Sequence, residues 1–235
     1  MNEKEFKVYL LKLNIDIAEE ELKKFETYKE LLKEYNKKFN LTSITEDESI
    51  YLKHFYDSLY LMTTSEFKNK KTFLDIGTGA GFPGLALAIM NKNMLFTLVE
   101  SNQKKCMFLS LVKEKLDLKN VEIINQRAEE YTKVNREKFD IVSSRAVSHL
   151  KILSELELPA LKVSGYFLPL KSSIEDELNE TIDFLNELDC TVEKLYKYEL
   201  PIENSERTIV VIKKNKITKT TYPRNYSQIV KTKRK

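Results

Sequence analysis

Apolar and polar positions recur with two different periods along this chain of 235 residues. In residues 17–39, IAEEELKKFETYKELLKEYNKKF, the apolar positions Leu22, Phe25, Tyr28, Leu32, Tyr35 and Phe39 fall three or four apart. That spacing predicts an amphipathic helix. A second helix is predicted over 46–62, with Ile50, Phe55, Leu59 and Met62 turned inward. The chain up to residue 66 therefore reads as a helical N-terminal segment.

Beyond it the period shortens. KTFLDI (71–76), LFTLVE (95–100), VEIIN (121–125), FDIVSS (139–144) and GYFLPLK (165–171) are short, partly β-branched apolar runs. Helical patterns at 83–91, 102–116, 148–162 and 174–188 lie between them. Strands alternating with helices imply right-handed crossovers and a mainly parallel sheet covered on both faces. CTVEKLYKYEL (190–200) and RTIVVIKK (207–214), joined by a short polar loop, predict an antiparallel pair at one edge. The expected fold is a doubly wound, Rossmann-like α/β domain at 67–214. A basic C-terminal tail is expected at 215–235.

Glycine usage sharpens this outline. Of five glycines in the chain, Gly77, Gly79, Gly81 and Gly84 stand in FLDIGTGAGFPGLALAI (73–89), where the first strand passes into the first crossover helix. Open α/β sheets bind ligands at such strand ends, and glycine allows tight turns and close approach to the main chain. Gly79 to Gly84 satisfies the dinucleotide pattern G-x-G-x-x-G, so a nicotinamide-dependent oxidoreductase is one reading. Asp75, two residues before Gly77, favours another. A carboxylate pointing into the turn repels a pyrophosphate and suits a phosphate-free cation such as S-adenosylmethionine. Its bland alternative is a carboxylate that caps the turn. Glu100 ends the second strand and is placed to accept from ribose hydroxyls, a device shared by both ligand classes. QRAEE (126–130) follows the third strand and is placed near an adenine, while Arg145 in SSR ends the fourth.

Methyl transfer from a sulfonium asks the protein mainly to position two partners and exclude water. Cys106 and Cys190 have neither metal nor disulfide spacing, and neither reads as a nucleophile. The motif that holds exocyclic adenine amines is absent where SSRAVS stands. A ring nitrogen such as guanine N7 needs no base, and its neighbour O6 accepts hydrogen bonds that an arginine donates. Arg145 meets that demand, with small-molecule and protein nitrogens left open.

Charge adds a partner. Residues 207–235 hold ten Lys or Arg and no acid, leaving 29 basic and 36 acidic residues in 1–206. An acidic body with a basic end suits a polyanion, or is merely a solubilising terminus. No apolar run approaches the roughly 20 residues a membrane span needs. MNEKEFKVYLLKLN has no signal-peptide layout. A cytoplasmic monomer with no membrane contact is expected.

Five collinear blocks carry a family resemblance: YNKKFNLTSITEDESIYLKHFYDSL (35–59), FLDIGTGAGFPGLALAI (73–89), QRAEE (126–130), FDIVSSRAV (139–147) and ERTIVVIKK (206–214). The chain resembles the bacterial 16S ribosomal RNA guanine-N7 methyltransferases, the RsmG or glucose-inhibited division protein B family. The resemblance implies a class I methyltransferase fold, S-adenosylmethionine as donor (S-adenosylhomocysteine as product) and a guanine of the small ribosomal subunit as acceptor. It implies cofactor contacts at Gly77, Phe82, Ala128, Glu129 and Arg145. Asp75, Gly79, Gly81 and Glu100 join them from the residue reading. His54 and Asp57 match the family's His-Phe-x-Asp-Ser-Leu block, as a structural pair or as an edge of the active site. Lys171 is expected to face RNA phosphates. Tyr222-Pro223-Arg224 matches a family segment and makes Arg224 an RNA-binding candidate, but Asn225-Tyr226-Ser227 departs from the family pattern. A non-catalytic RNA-binding module with a vestigial pocket is the remaining alternative.

Overall fold

The computed structural model describes residues 1–145 and 148–231. Its strands are Thr72–Ile76 (β1), Leu95–Glu100 (β2), Val121–Asn125 (β3), Phe139–Ser143 (β4), Leu161–Phe167 (β5), Leu170–Lys171 (β6), Cys190–Leu200 (β7) and Ser205–Lys214 (β8). They form one sheet in which β3, β2, β1, β4 and β5 lie side by side and parallel. β8 runs antiparallel to β5 and β6, and β7 pairs antiparallel with β8 beyond it.

The run 165–171, expected as one strand, is two. Proline has no N–H to give a ladder, so Pro169 interrupts it; its carbonyl still accepts from Val210 N at 3.2 Å. The helix expected over 148–162 stops at Glu157. A 3-10 turn, Leu158–Ala160, carries Pro159 and feeds β5.

The N-terminal segment begins with α1, Glu3–Lys12, closed by a reciprocal capping box between Asn2 and Glu5. α2, Glu19–Phe39, ends where Asn40 takes a left-handed conformation at φ 49°. The stripe read from the sequence is its buried face: Leu22, Phe25, Tyr28 and Leu32. The helical run 47–63 winds as a π-helix over Ile50–Tyr56, a form that concentrates at functional sites. Phe6, Phe25 and Phe55 meet edge-on or tilted, with centroids 5.4 Å apart for Phe6–Phe25 and 4.9 Å for Phe25–Phe55. Burying each such side chain contributes about 1.5–3 kcal/mol. These rings belong to the same core as Phe73 of β1, Leu85 and Phe108, so the helical segment is fused to one face of the sheet. Helices Leu150–Glu157 and Glu175–Glu187 cover the other face. No helix among the described residues is long and apolar enough to cross a membrane.

Residues 215–231 do not hang free. Arg136 donates to the Thr218, Lys219 and Tyr222 carbonyls, and the Tyr222 hydroxyl donates to Glu187 at 2.6 Å. Lys233, Arg234 and Lys235, part of the expected basic tail, lie outside the described residues, as do Ala146 and Val147 of the FDIVSSRAV block.

Candidate active site

The turn after β1 is built by backbone conformation and one carboxylate. Gly77, Gly79 and Gly81 all have positive φ, at 65°, 62° and 103°. Asp75 Oδ2 accepts from Thr78 Oγ1 at 2.7 Å and from Gly84 N at 2.8 Å, tying the turn to the start of helix Gly84–Met90. The residue is fully buried, and its Oδ1 has no partner. Burial raises its pKa to about 7 against the lowering effect of those hydrogen bonds. Asp75 therefore caps the turn from beneath. A carboxylate turned toward a cationic ligand was expected here, whereas the residue is fully buried beneath the turn.

Two of the glycines also answer to the protein. A Cβ on Gly81 would collide with Tyr28 Oη and come within 2.6 Å of Leu85 Cδ1. One on Gly84 would collide with Leu98 and meet Asp75 Oδ2 at 2.8 Å. Gly81 was expected against a ligand; the space is filled by α2 instead, whose Tyr28 hydroxyl donates to the Ala80 carbonyl at 2.5 Å. Gly79 is different, since a Cβ there would meet nothing nearer than Gly77 O at 3.9 Å. Its N–H donates to Glu100 Oε2 at 3.1 Å, and Asn102 N donates to Oε1 at 2.8 Å.

Beside this turn lies a pocket of ≈ 150 Å³. It brings together four expected residues, Gly77, Glu100, Ala128 and Glu129. Ile152 and Leu156 add apolar wall. A carboxylate, an apolar slot and exposed glycine main chain together match the chemistry of an adenosyl group, whose base has apolar faces and whose ribose hydroxyls donate.

Next to it opens a cleft of ≈ 830 Å³, and Ser148 lines both spaces. Arg145, His54, Asp57, Lys171, Arg207 and Thr42 border it. Arg145 Nη1 donates to the Lys53 carbonyl and to Asp57 Oδ2 at 3.3 Å, while Nη2 donates to His54 Nδ1 at 2.7 Å. Its Nε–H and one Nη2–H remain without a partner among the described residues. Asp57 is held from behind by the Tyr198 hydroxyl, which donates to Oδ1 at 2.7 Å. Burial keeps that phenol well above its ordinary pKa and hence protonated.

An arginine only donates, so His54 Nδ1 must accept and the proton sits on Nε2. Nε2 then donates to Thr42 Oγ1, 2.9 Å away. Burial, and then the Arg145 charge, lower the His54 pKa to about 2, so the ring is neutral. It stacks on Phe82 with centroids 4.3 Å apart and planes 8° from parallel; Tyr28 stacks on the opposite side at 5.3 Å. Thr42 Oγ1 also accepts from Ile44 N at 3.1 Å. With both lone pairs engaged, its own O–H is left to donate. Asn36 pins the Thr42 backbone with two bonds of 2.9 Å.

Three expected residues stand elsewhere than foreseen. Phe82 is 5% exposed and sandwiched between Tyr28 and His54, so its ring is core rather than open ligand surface. Lys171 borders the cleft, but its ammonium donates to the Ser148 carbonyl and to Glu177 Oε2 at 2.8 Å. It offers no free charge to a phosphate. Arg224 forks onto Glu155, with Nε to Oε1 at 2.8 Å and Nη2 to Oε2 at 2.5 Å, which makes it a clip within the chain. Sequence reasoning missed Thr42 and Tyr198 as site residues and treated Tyr28 only as core. Thr42 lies in the NLTSI block, the one signal that could have singled it out.

The rRNA small subunit methyltransferase G (GidB) family model matches residues 21–210. The ribosomal RNA small subunit methyltransferase G of Fusobacterium nucleatum is 45% identical over 219 residues, covering 93% of this chain and 94% of the relative. That of Bacillus subtilis is 42% identical over 227 residues, 95% of each. Among solved structures, a SAM-dependent methyltransferase from Aquifex aeolicus superposes with a TM-score of 0.52 at 20% identity, over 77% of this chain and 97% of that one. The fold is thus that of the class I methyltransferases, and the chain belongs to the small-subunit ribosomal RNA methyltransferase G (GidB) family.

Proposed function

We propose that this protein is an S-adenosylmethionine-dependent methyltransferase that methylates N7 of a guanine in 16S ribosomal RNA, in the cytoplasm and as a monomer. The observation that supports this reading most is the adjoining pair of sites: a pocket suited to an adenosyl group, and a large cleft that meets it at Ser148. When bound there, the donor supplies a sulfonium methyl activated for in-line displacement.

Among the described residues the cleft presents donors and no free base. Both ring nitrogens of His54 are engaged, and Asp57 already accepts from Tyr198 and Arg145. Such an environment fits a nucleophile that loses no proton at attack, which guanine N7 is. The Arg145 N–H groups without a partner among the described residues, and the Thr42 hydroxyl, are placed to hold acceptor atoms such as O6 beside it. Residues 67–214 carry the transfer site in this reading, and residues 1–66 supply one wall of the acceptor cleft.

The test incubates the purified protein with methyl-labelled S-adenosylmethionine and small subunits from cells lacking it, in parallel with naked 16S RNA. The expected product is a single 7-methylguanosine, identified by nucleoside mass spectrometry. Label in a 2′-O-methyl or exocyclic position, or none in RNA, overturns the reading.

A further inference from the structure

Tyr226 belongs to none of the matched family blocks, yet it lines the pocket beside Gly77 and Glu100. The segment that brings it there is anchored at three points. Arg224 forks onto Glu155, which is 1% exposed on helix Leu150–Glu157. Asn225 caps the short helix Tyr226–Ile229 through a reciprocal box with Gln228. Ile229 is fully buried against Ile152 and Leu156, the same two side chains that form the pocket's apolar wall. The far side of the segment is thus fixed to the wall, and Tyr226, which lines the pocket, is left 39% exposed.

Arg127 braces the ring, with its guanidinium carbon 5.2 Å from the centroid. Its Nε also donates to Glu129 Oε1 at 2.9 Å, so the brace is itself held. An anchored, half-exposed aromatic face at the side of an apolar slot is the standard receptor for a purine, because every base has a π-face to stack.

We propose that Tyr226 is a cofactor-binding residue: the C-terminal segment closes the adenosyl pocket, and the Tyr226 ring packs against the adenine. The proposal rests on the reading that this pocket takes S-adenosylmethionine. It explains why the segment is clipped down so firmly, and it gives the divergent Asn225-Tyr226-Ser227 a task in the pocket rather than on RNA.

The test uses the full-length chain and S-adenosylhomocysteine as probe. Calorimetry is expected to show roughly ten-fold weaker binding for Tyr226→Ala and near-native binding for Tyr226→Phe, with thermal midpoints unchanged. In turnover, KM for S-adenosylmethionine rises while saturating kcat and KM for small subunits hold. The chain contains no tryptophan, so Tyr226→Trp introduces one unambiguous fluorophore. Its emission is expected to be quenched saturably by the probe. Native affinity in Tyr226→Ala together with an unresponsive indole overturns the proposal while methyl transfer stands. A changed KM for subunits alone overturns it in favour of an RNA contact. Failure of the wild-type chain to bind the probe removes the parent reading and the proposal with it.

Discussion

Tyr28→Phe removes one buried oxygen and leaves the ring in place. That oxygen donates to the Ala80 carbonyl at 2.5 Å, the bond that ties α2 to the glycine turn. The phenol is wholly buried and its pKa is driven well above the ordinary value by burial, so it acts as a donor at any working pH. Deleting the donor while the buried carbonyl stays behind unsatisfied costs about 1–3 kcal/mol, so about 2 kcal/mol is expected. With an m-value of about 2 kcal/mol per molar urea, the unfolding midpoint falls by about 1 M.

The same oxygen is what a Cβ on Gly81 would strike. Gly81→Ala is strained in either background, because φ there is 103°. It should nevertheless cost less when made with Tyr28→Phe, since the nearest obstructing atom is then gone. Urea denaturation of wild type, both single variants and the double gives the coupling, expected at about 0.5–3 kcal/mol in the direction of relief. Costs that add to within about 0.5 kcal/mol would falsify the claim that Tyr28, rather than a ligand, makes position 81 a glycine.

Three further outcomes are checkable. Asp57→Asn keeps the shape behind Arg145 but removes its charge partner; single-turnover methylation should slow about ten- to hundred-fold, with S-adenosylhomocysteine affinity unchanged, and an unaltered rate would dismiss the positioning role. Thr42→Val deletes the donor facing the cleft and should raise KM for small subunits about five- to thirty-fold, the kinetic equivalent of about 1–2 kcal/mol, whereas Thr42→Ser should stay near native. Asp75, raised to about 7, keeps its proton in the fold across a range where the unfolded chain has lost it, so it makes stability fall as pH climbs from about 4 to 7. Asp75→Asn should shift that slope upward by as much as about 1.4 kcal/mol per pH unit, measured by urea unfolding between pH 5 and 7. His54, lowered to about 2, contributes the opposite slope below its ordinary value near 6.5, where acid favours the unfolded chain. An unchanged slope in Asp75→Asn would show that the carboxylate is ionised in the fold.

The sequence displayed what is local. Short apolar, partly β-branched runs located β1 to β4, and the periodic stripe marked the buried face of α2. It misjudged 158–171 because LPALK and FLPLK are short apolar stretches in which helix and strand look alike, and prolines decide the breaks. Gly77, Glu100, Ala128 and Glu129 gather in one pocket because strand ends converge by topology, which spacing does reveal. What stands opposite a residue is another matter. Gly81 faces a tyrosine 53 positions upstream, Lys171 faces Glu177, and Arg224 faces Glu155 across 69 positions. A basic residue reads as an offer to a polyanion until the fold supplies its acid. Most of the charge in 207–224 is committed in this way, including Lys213 to Glu193, Lys214 to Glu137 and Lys216 to Asp189.

The chain of contacts from Thr42 through His54, Arg145 and Asp57 to Tyr198 spans 156 positions of sequence. A polypeptide emerging from synthesis therefore holds the sequence of its glycine turn long before it holds every wall of the large cleft. Products that stop short of β7 lack the strut behind Asp57.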